Sequence, residues 1–317
     1  LSATSANAEA IRIARIVTGR RDILMFEGKY HGHFDDVLVT LKEGAVAPEG
    51  RGLLESAGKH LVPYNDLDAA KAALRDHDIA CVLVEPALTN VGVVRPEPGF
   101  LEGLSRASAA KGCLLIVDEA HTQTCAYGGL TRAWGIDCDI VTLGKCLAGG
   151  LPIGAYGMSA ALGDALEANL TSLPALNWQD RIATGGTFFA YALSLAAARA
   201  ALDQILTEAG YAHTMGLGAQ LADGIEAAIE RSGLPWSAQR LYCRSGVSFA
   251  PRLPANAHEA AECAAPELSA ALRLYMANRG VFEAIASAGP SASFPMVEAD
   301  IELYLEIFGA FLTELTA

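Results

Sequence analysis

No run of apolar residues in the chain approaches the roughly 18 that cross a membrane, and the first residues lack the basic and apolar regions of a secretion signal. A soluble, cytoplasmic protein is therefore expected. Basic residues are scarce: 23 Lys and Arg against 36 Asp and Glu leave a net charge of −13, which works against non-specific affinity for nucleic acid or anionic lipid. The seven cysteines include no CxxC pair, and several fall inside apolar strand-like runs, so buried reduced thiols are expected rather than disulfides or a zinc site. His31 and His33 form an HxH pair with no third ligand at a recognisable spacing, so no metal is expected there. Lys145 is followed by Cys146 after the wrong glycine spacing, which excludes a Walker-type phosphate loop, and no GxSxG element is present.

What remains is a globular composition, 52% hydrophobic and 19% charged over 317 residues, long enough for one large or two ordinary domains. Leu1-Ser-Ala-Thr-Ser leads directly into a helical pattern with Ala6, Ala10, Ile11, Ala14 and Val17 on one face. A chain entered in mid-domain is expected from this start. Strand patterns at Asp22–Phe26, Ile79–Val84 and Cys113–Asp118 alternate with helical patterns at 66–77 and Pro98–Lys111, which predicts a mostly parallel sheet with helices on both faces. Further helices are expected at Ala190–Thr207, Met215–Arg231, 264–279 and 298–316, with strands at 244–250 and 280–286. The division drawn from this pattern is a large domain over 1–207 and a smaller α+β domain over 208–317.

Chemistry concentrates where strands end. The apolar run Ile140-Val-Thr-Leu stops at Gly144-Lys145, and the run ending in Ile116-Val117 stops at Asp118. Ligands of open parallel sheets bind beyond the carboxyl ends of the strands, where Tyr30, Glu85, Asp118 and Lys145 all fall. An amine and a carboxylate delivered to one sheet edge, here Lys145 and Asp118, are what pyridoxal phosphate requires. The amine forms a Schiff base with its aldehyde, and the carboxylate keeps its pyridine nitrogen protonated.

Ordered motifs extend this reading: Ser2-Ala-Thr-Ser-Ala6, Thr18-Gly-Arg20, Tyr30-His-Gly-His33, Val84-Glu-Pro86 with Asn90, Asp118-Glu119, Thr142-Leu-Gly-Lys145, Ala148-Gly-Gly-Leu-Pro-Ile-Gly-Ala-Tyr-Gly157 and Gly186-Thr187. Over almost its whole length the chain resembles the class III aminotransferases of pyridoxal phosphate fold type I, within them the glutamate-1-semialdehyde aminomutase-like group, with the family's N-terminal segment absent. The resemblance implies that Lys145 carries the Schiff base and moves protons, that Asp118 partners the pyridinium and that Tyr30 stacks on the ring. It further implies that Asn90 reaches the phenolic oxygen and that Ser2, Ala3 and Thr4 bind the phosphate at a helix start, a favourable place for an anion. His31 and His121 are expected beside the cofactor, and Thr187 is expected to reach the phosphate of a neighbouring subunit, so a homodimer with a shared active site is implied. The implied activity passes an amino group between a small amino donor and a carbonyl acceptor. An ammonia-lyase, aminomutase or racemase is the alternative, and a catalytically inactive relative the second.

Three stretches depart from the family pattern. The phosphate turn has Ala3 and Ser5 where the family has glycine and glutamate. Alanine suits such a turn only if its φ is negative. Asp118-Glu119 is followed by Ala120-His121 rather than a β-branched residue, and His121 has two readings, a loop hydrogen bond or a titratable group beside the ring. Within the small and polar Ala286-Ser-Ala-Gly-Pro-Ser-Ala-Ser293, Ala288-Gly-Pro-Ser-Ala292 stands where the aminomutases carry a glutamate, which argues against glutamate-1-semialdehyde as substrate. That stretch reads either as a small polar pocket wall or as a surface turn.

Overall fold

A computed structural model describes residues 1–49, 56–172, 185–283 and 289–317. The elements run α1 (Ala3–Thr18), β1 (Asp22–Phe26), a hairpin of β2 (Val39–Lys42) and β3 (Ala45–Pro48), β4 (Lys59–Val62), α2 (Leu67–Asp76), β5 (Ile79–Val84), α3 (Phe100–Lys111) and β6 (Leu114–Asp118). They continue through α4 (Gly129–Ala133), β7 (Ile140–Leu143), β8 (Ala155–Met158), α5 (Ala160–Ser172), α6 (Ala192–Gln204) and α7 (Glu208–Ser232). The last are β9 (Ser237–Leu241), β10 (Arg244–Ser248), α8 (Ala257–Glu262), α9 (Pro266–Ala277) and α10 (Glu298–Thr316).

Six strands form one sheet in the order β4-β1-β5-β6-β7-β8. All neighbours are parallel except β8, which runs antiparallel to β7. Every residue of β5 is buried, and its side chains divide by the two-residue period of a strand. Cys81 and Leu83 join Ala10, Ile13 and Ala14 of α1 and Leu162 of α5 on one face. Val82 and Val84 join Leu74 of α2 and Leu104 of α3 on the other. This two-sided burial explains the uninterrupted apolar run of β5. A third cluster joins Leu221 and Ile225 of α7, Met276 of α9 and Phe308 of α10 to Leu130 of α4, so the C-terminal helices share a core with the loop beyond β6.

Register sets the site. Asp118 pairs with Thr142 across β6 and β7, three residues before Lys145, and Val84 pairs with Val117, so Glu85, Asp118 and Lys145 leave the sheet at one level.

Several expectations are corrected. Val17 is 40% exposed while Ile13 is buried: the buried arc of α1 turns toward the sheet through Ile13. The β2–β3 hairpin, strands β4 and β9, the antiparallel β8 and helices α4, α5 and α8 are not among the expected elements. The helix expected over 190–207 spans Ala192–Gln204, and the one expected from Met215 begins at Glu208, where Thr207 caps Gly210. The strand expected at 244–250 ends at Ser248. Of that expected at 280–286, residues 280–283 are not strand, and the rest lies outside the described residues.

Two glycines of α7 separate helix propensity from packing. A methyl group on Gly216 would meet nothing within 4 Å, whereas one on Gly218 would lie 2.3 Å from the carbonyl oxygen of Tyr242. Gly216→Ala should raise stability by up to about 1 kcal/mol, and Gly218→Ala should lower it by about 1–3 kcal/mol. Urea denaturation of both variants measures the two signs.

Candidate active site

The strand ends open on a cavity of about 360 Å³ lined by Ser2, Ala3, Thr4, Tyr30, His31, Gly32, Asp118, Ala120 and Lys145, together with Leu1 and residues 150–153. Seven of the ten residues expected around the cofactor thus share one wall. Three do not line it. Asn90 is half-buried on the loop after β5, His121 is buried, and Thr187 is exposed on a turn before α6, outside the cavity of its own chain.

Asp118 is 2% exposed, and a carboxylate so placed needs partners. Its Oδ2 accepts from Asn7 Nδ2 at 2.7 Å and from His31 Nδ1 at 2.8 Å, and its Oδ1 accepts from the Ala120 amide at 2.9 Å. Burial opposes the charge, but His31, Ala120 and Asn7 together hold the carboxyl below its ordinary range. Burial in turn lowers the His31 imidazole in spite of Asp118. A neutral ring donating from Nδ1 leaves Nε2 as a buried acceptor with no hydrogen-bond partner among the described residues. Asn7 is itself oriented by Thr142 Oγ1, which donates to its Oδ1 at 2.6 Å. The role of Asn7, and that of Thr142 within the Thr142-Leu-Gly-Lys145 motif, escape a reading of the sequence, because the packing of α1 against β7 creates them.

Lys145 follows Gly144 in a tight turn with φ of +40°, a left-handed conformation that costs a non-glycine residue about 1–2 kcal/mol. Gln123 supports the turn, its Nε2 donating to the carbonyls of Gly144 at 2.7 Å and Ala120 at 3.1 Å. Although the side chain is exposed in the single chain, the protein packed around it lowers its ammonium below the ordinary range, against the raising effect of Asp118 and Glu85. Solvent screening moderates that shift.

At the start of α1, Ser2 occupies the cap position without a side-chain hydrogen bond, and no acidic residue stands in the first turn. The first amides are therefore left for an anion, in a 16-residue helix whose dipole favours one. The helix begins at Ala3 with ordinary negative φ, so alanine fits where the family has glycine. Gly144 and Gly154 press on this turn: side chains there would lie 2.9 Å from Ala3 N and 2.0 Å from the Ser2 carbonyl oxygen.

Behind the cavity, Glu85 Oε1 accepts from the Tyr30 amide at 2.9 Å and Oε2 from Thr89 at 3.3 Å. Burial, reinforced by the negative Asp118, raises Glu85 to about 8. Thr89 also meets His121 Nδ1 at 2.5 Å. Burial, then the positive Lys145 and Arg244, lower His121 to about 3, so it is neutral near pH 7 and serves as a hydrogen-bonding group. Arg244 of β10 donates from Nη2 to the His121 carbonyl at 3.2 Å, while its buried Nε has no hydrogen-bond partner among the described residues. Sequence reading misses Thr89 and Arg244, whose neighbours are remote along the chain. Residues 289–293 form no free surface turn: Ser291 bridges to Arg244, Ala292 N donates to the Cys243 carbonyl, and Gly289 and Pro290 line a separate cavity. Residues 286–288 of that stretch lie outside the described residues.

Glu85 generates a pH dependence. Because its folded value lies above that of the unfolded chain, its contribution is fully present below the unfolded value, near 4.5, and is lost as pH rises through about 8. Thermal melts between pH 5 and 9 should show a decline, on the order of a few kcal/mol at most, that is shallower in Glu85→Gln.

Three comparisons set this geometry beside known proteins. Residues 1–235 match the model of the family described as aminotransferase class-III. Glutamate-1-semialdehyde 2,1-aminomutase 2 of Geobacillus kaustophilus is 38% identical over 293 residues, 89% of this chain and 65% of that protein, so the chain spans about two thirds of the length of such relatives. The crystal structure of a glutamate-1-semialdehyde-aminomutase from Pseudomonas aeruginosa PAO1 in complex with PMP superposes with a TM-score of 0.93 at 35% identity, covering 99% of this chain and 70% of that one. An omega-transaminase from Sphaerobacter thermophilus superposes with a TM-score of 0.87 at 26% identity, covering 100% and 73%. The chain belongs to the class III aminotransferase family, with the fold type I architecture of its relatives.

Proposed function

We propose that the chain binds pyridoxal 5'-phosphate in the cavity between α1 and the strand ends and uses Lys145 to pass an amino group from a small amino compound to a keto acid or aldehyde. The observation that carries this reading is the convergence on one cavity wall of an ionised, triply hydrogen-bonded Asp118, the Lys145 amine and the uncapped start of α1. The donor set fits the cofactor: amides for a phosphate, a carboxylate for a protonated ring nitrogen, an amine for an aldehyde, and Tyr30 for a ring face.

When bound, pyridoxal phosphate supplies the aldehyde that captures the amine and the electron sink that makes a neighbouring carbon acidic. The protein's residues then have separable tasks. Ser2, Ala3 and Thr4 anchor the phosphate. Asp118, oriented by His31 and Asn7, holds a proton on the ring nitrogen. Lys145 Nζ, its basicity reduced by its surroundings, takes a proton from the substrate carbon and returns one.

A second reading with the same cofactor is an ammonia-lyase, aminomutase or racemase. The matched curated relative is named as an aminomutase, and a neutral His121 held by Thr89 adds a hydrogen-bonding group behind Ala120. The two readings differ in product, since a transaminase requires a carbonyl acceptor whereas a lyase releases ammonia without one.

A homodimer supports the site in this proposal, with Thr187 reaching the partner's phosphate. Thr187 stands outside its own cavity, and the adjoining turn and α6 expose Phe188, Phe189, Tyr191, Leu193, Leu195 and Leu202, an apolar surface of the kind that a second copy covers.

Titration with pyridoxal phosphate should produce an adduct that borohydride traps at Lys145 by mass. Lys145→Ala should abolish the adduct and lower turnover by about 10²–10⁴-fold; unchanged adduct and activity refute the assignment. Ammonia release without an acceptor overturns the transaminase reading in favour of the lyase. Thr187→Ala should weaken cofactor affinity while adduct chemistry persists, and sedimentation showing a monomer with full affinity contradicts the shared site.

A further inference from the structure

Asp22, His60 and His77 come together at the opposite edge of the sheet, and we propose that they bind a divalent transition-metal ion of the zinc type. Asp22 opens β1, His60 is the second residue of β4, and His77 lies just past the last turn of α2. In the β1–β4 ladder Leu24 pairs with His60. Asp22, two residues before Leu24, therefore shares a sheet face with His60. That face is the one covered by α2, whose Ala70 and Leu74 pack against Leu24, and the end of α2 delivers His77 to it.

The donor atoms of the three residues all lie within 4.8 Å of one another. His60 Nε2 and Asp22 Oδ2 are 2.8 Å apart, and the imidazoles of His60 and His77 stack with centroids 3.9 Å apart and planes 27° from parallel. Gly58 leaves the carboxylate its room, since a side chain there would lie 2.9 Å from Asp22 Oδ1. Two imidazoles and a carboxylate are borderline ligands suited to zinc, cobalt or nickel rather than to magnesium or calcium. Asp22 and His60 are half-buried and His77 is exposed, so water completes the coordination. For His60 to bind through Nε2, its ring proton moves to Nδ1 or to solvent and the hydrogen bond to Asp22 is replaced by a shared ion. The ion would tie the edge strand β4 and helix α2 to β1, far from Asp118 and Lys145.

Calorimetric titration of the full chain with zinc chloride should show one ion bound per chain and a raised melting temperature. His77→Ala, at an exposed position, should weaken binding by more than about tenfold. Co²⁺ should give a visible d–d absorption that is lost in the same variant, while circular dichroism and cofactor binding stay unchanged. His258→Ala, at a separate surface histidine–carboxylate pair, should leave zinc binding intact. The proposal is overturned by an absence of saturable binding, by binding that His77→Ala leaves undiminished, or by binding that His258→Ala removes.

Discussion

The charge on Asp118 cannot be left alone in a position that is 2% exposed, and satisfying it organises the molecule around it. An unpaired buried carboxylate would be neutralised or expelled. Here three donors converge on it: Asn7 from α1, His31 from the loop after β1, and the Ala120 amide from its own turn. Each donor fixes a different piece of chain. Asn7 is held by Thr142, so the helix that opens toward the cavity is locked to the strand that leads to Lys145. His31 draws in the loop that carries Tyr30. One carboxylate thereby sets the relative places of the helix start, the aromatic residue and the amine.

Around that fixed charge the site is arranged to limit negative charge. Burial, reinforced by the nearby charge of Asp118, pushes Glu85 up to about 8, so near neutrality it is mostly protonated and Asp118 keeps the negative charge. Burial, and then the positive charge of Lys145 and Arg244 from other elements, holds His121 neutral. The strained turn at Lys145 belongs to the same arrangement. A backbone with φ of +40° is costly for lysine, and Gln123, donating to the carbonyl of the preceding Gly144, holds it in a conformation that brings the amine to the cavity.

Much of the fold was legible from local pattern. Strands β1, β5 and β6 and helices α2, α3 and α10 can be read from apolar periodicity and length, because each buries a continuous stripe or both faces. Strand β4 is not legible: Lys59-His-Leu-Val sets one polar and one apolar residue on each face and becomes strand only by pairing with β1. Strand β8, Ala155-Tyr-Gly-Met, carries a glycine that weakens the pattern, and its pairing with β7 decides it. Among site residues, Lys145 and Asp118 can be named from strand ends, whereas Ser2 to Thr4 and the stacking place of Tyr30 come from the family resemblance. Asn7, Thr89, Gln123 and Arg244 cannot be named from either, since polar residues inside a helix, a loop or a strand carry no sign of which distant group they will meet.

The sequence alone therefore determined the alternating elements, the edge of the sheet where chemistry gathers and the amine and carboxylate that stand there. These are local properties, set by side-chain periodicity and by the residue types that stand where each apolar run stops. Tertiary structure decided the states of the groups: Asp118 ionised, Glu85 raised, His121 neutral, and His31 donating through one nitrogen while the other stands unpartnered among the described residues. Protonation depends on burial and on charges brought from remote segments, and those distances exist only once the sheet has set its register and α1 has docked across it.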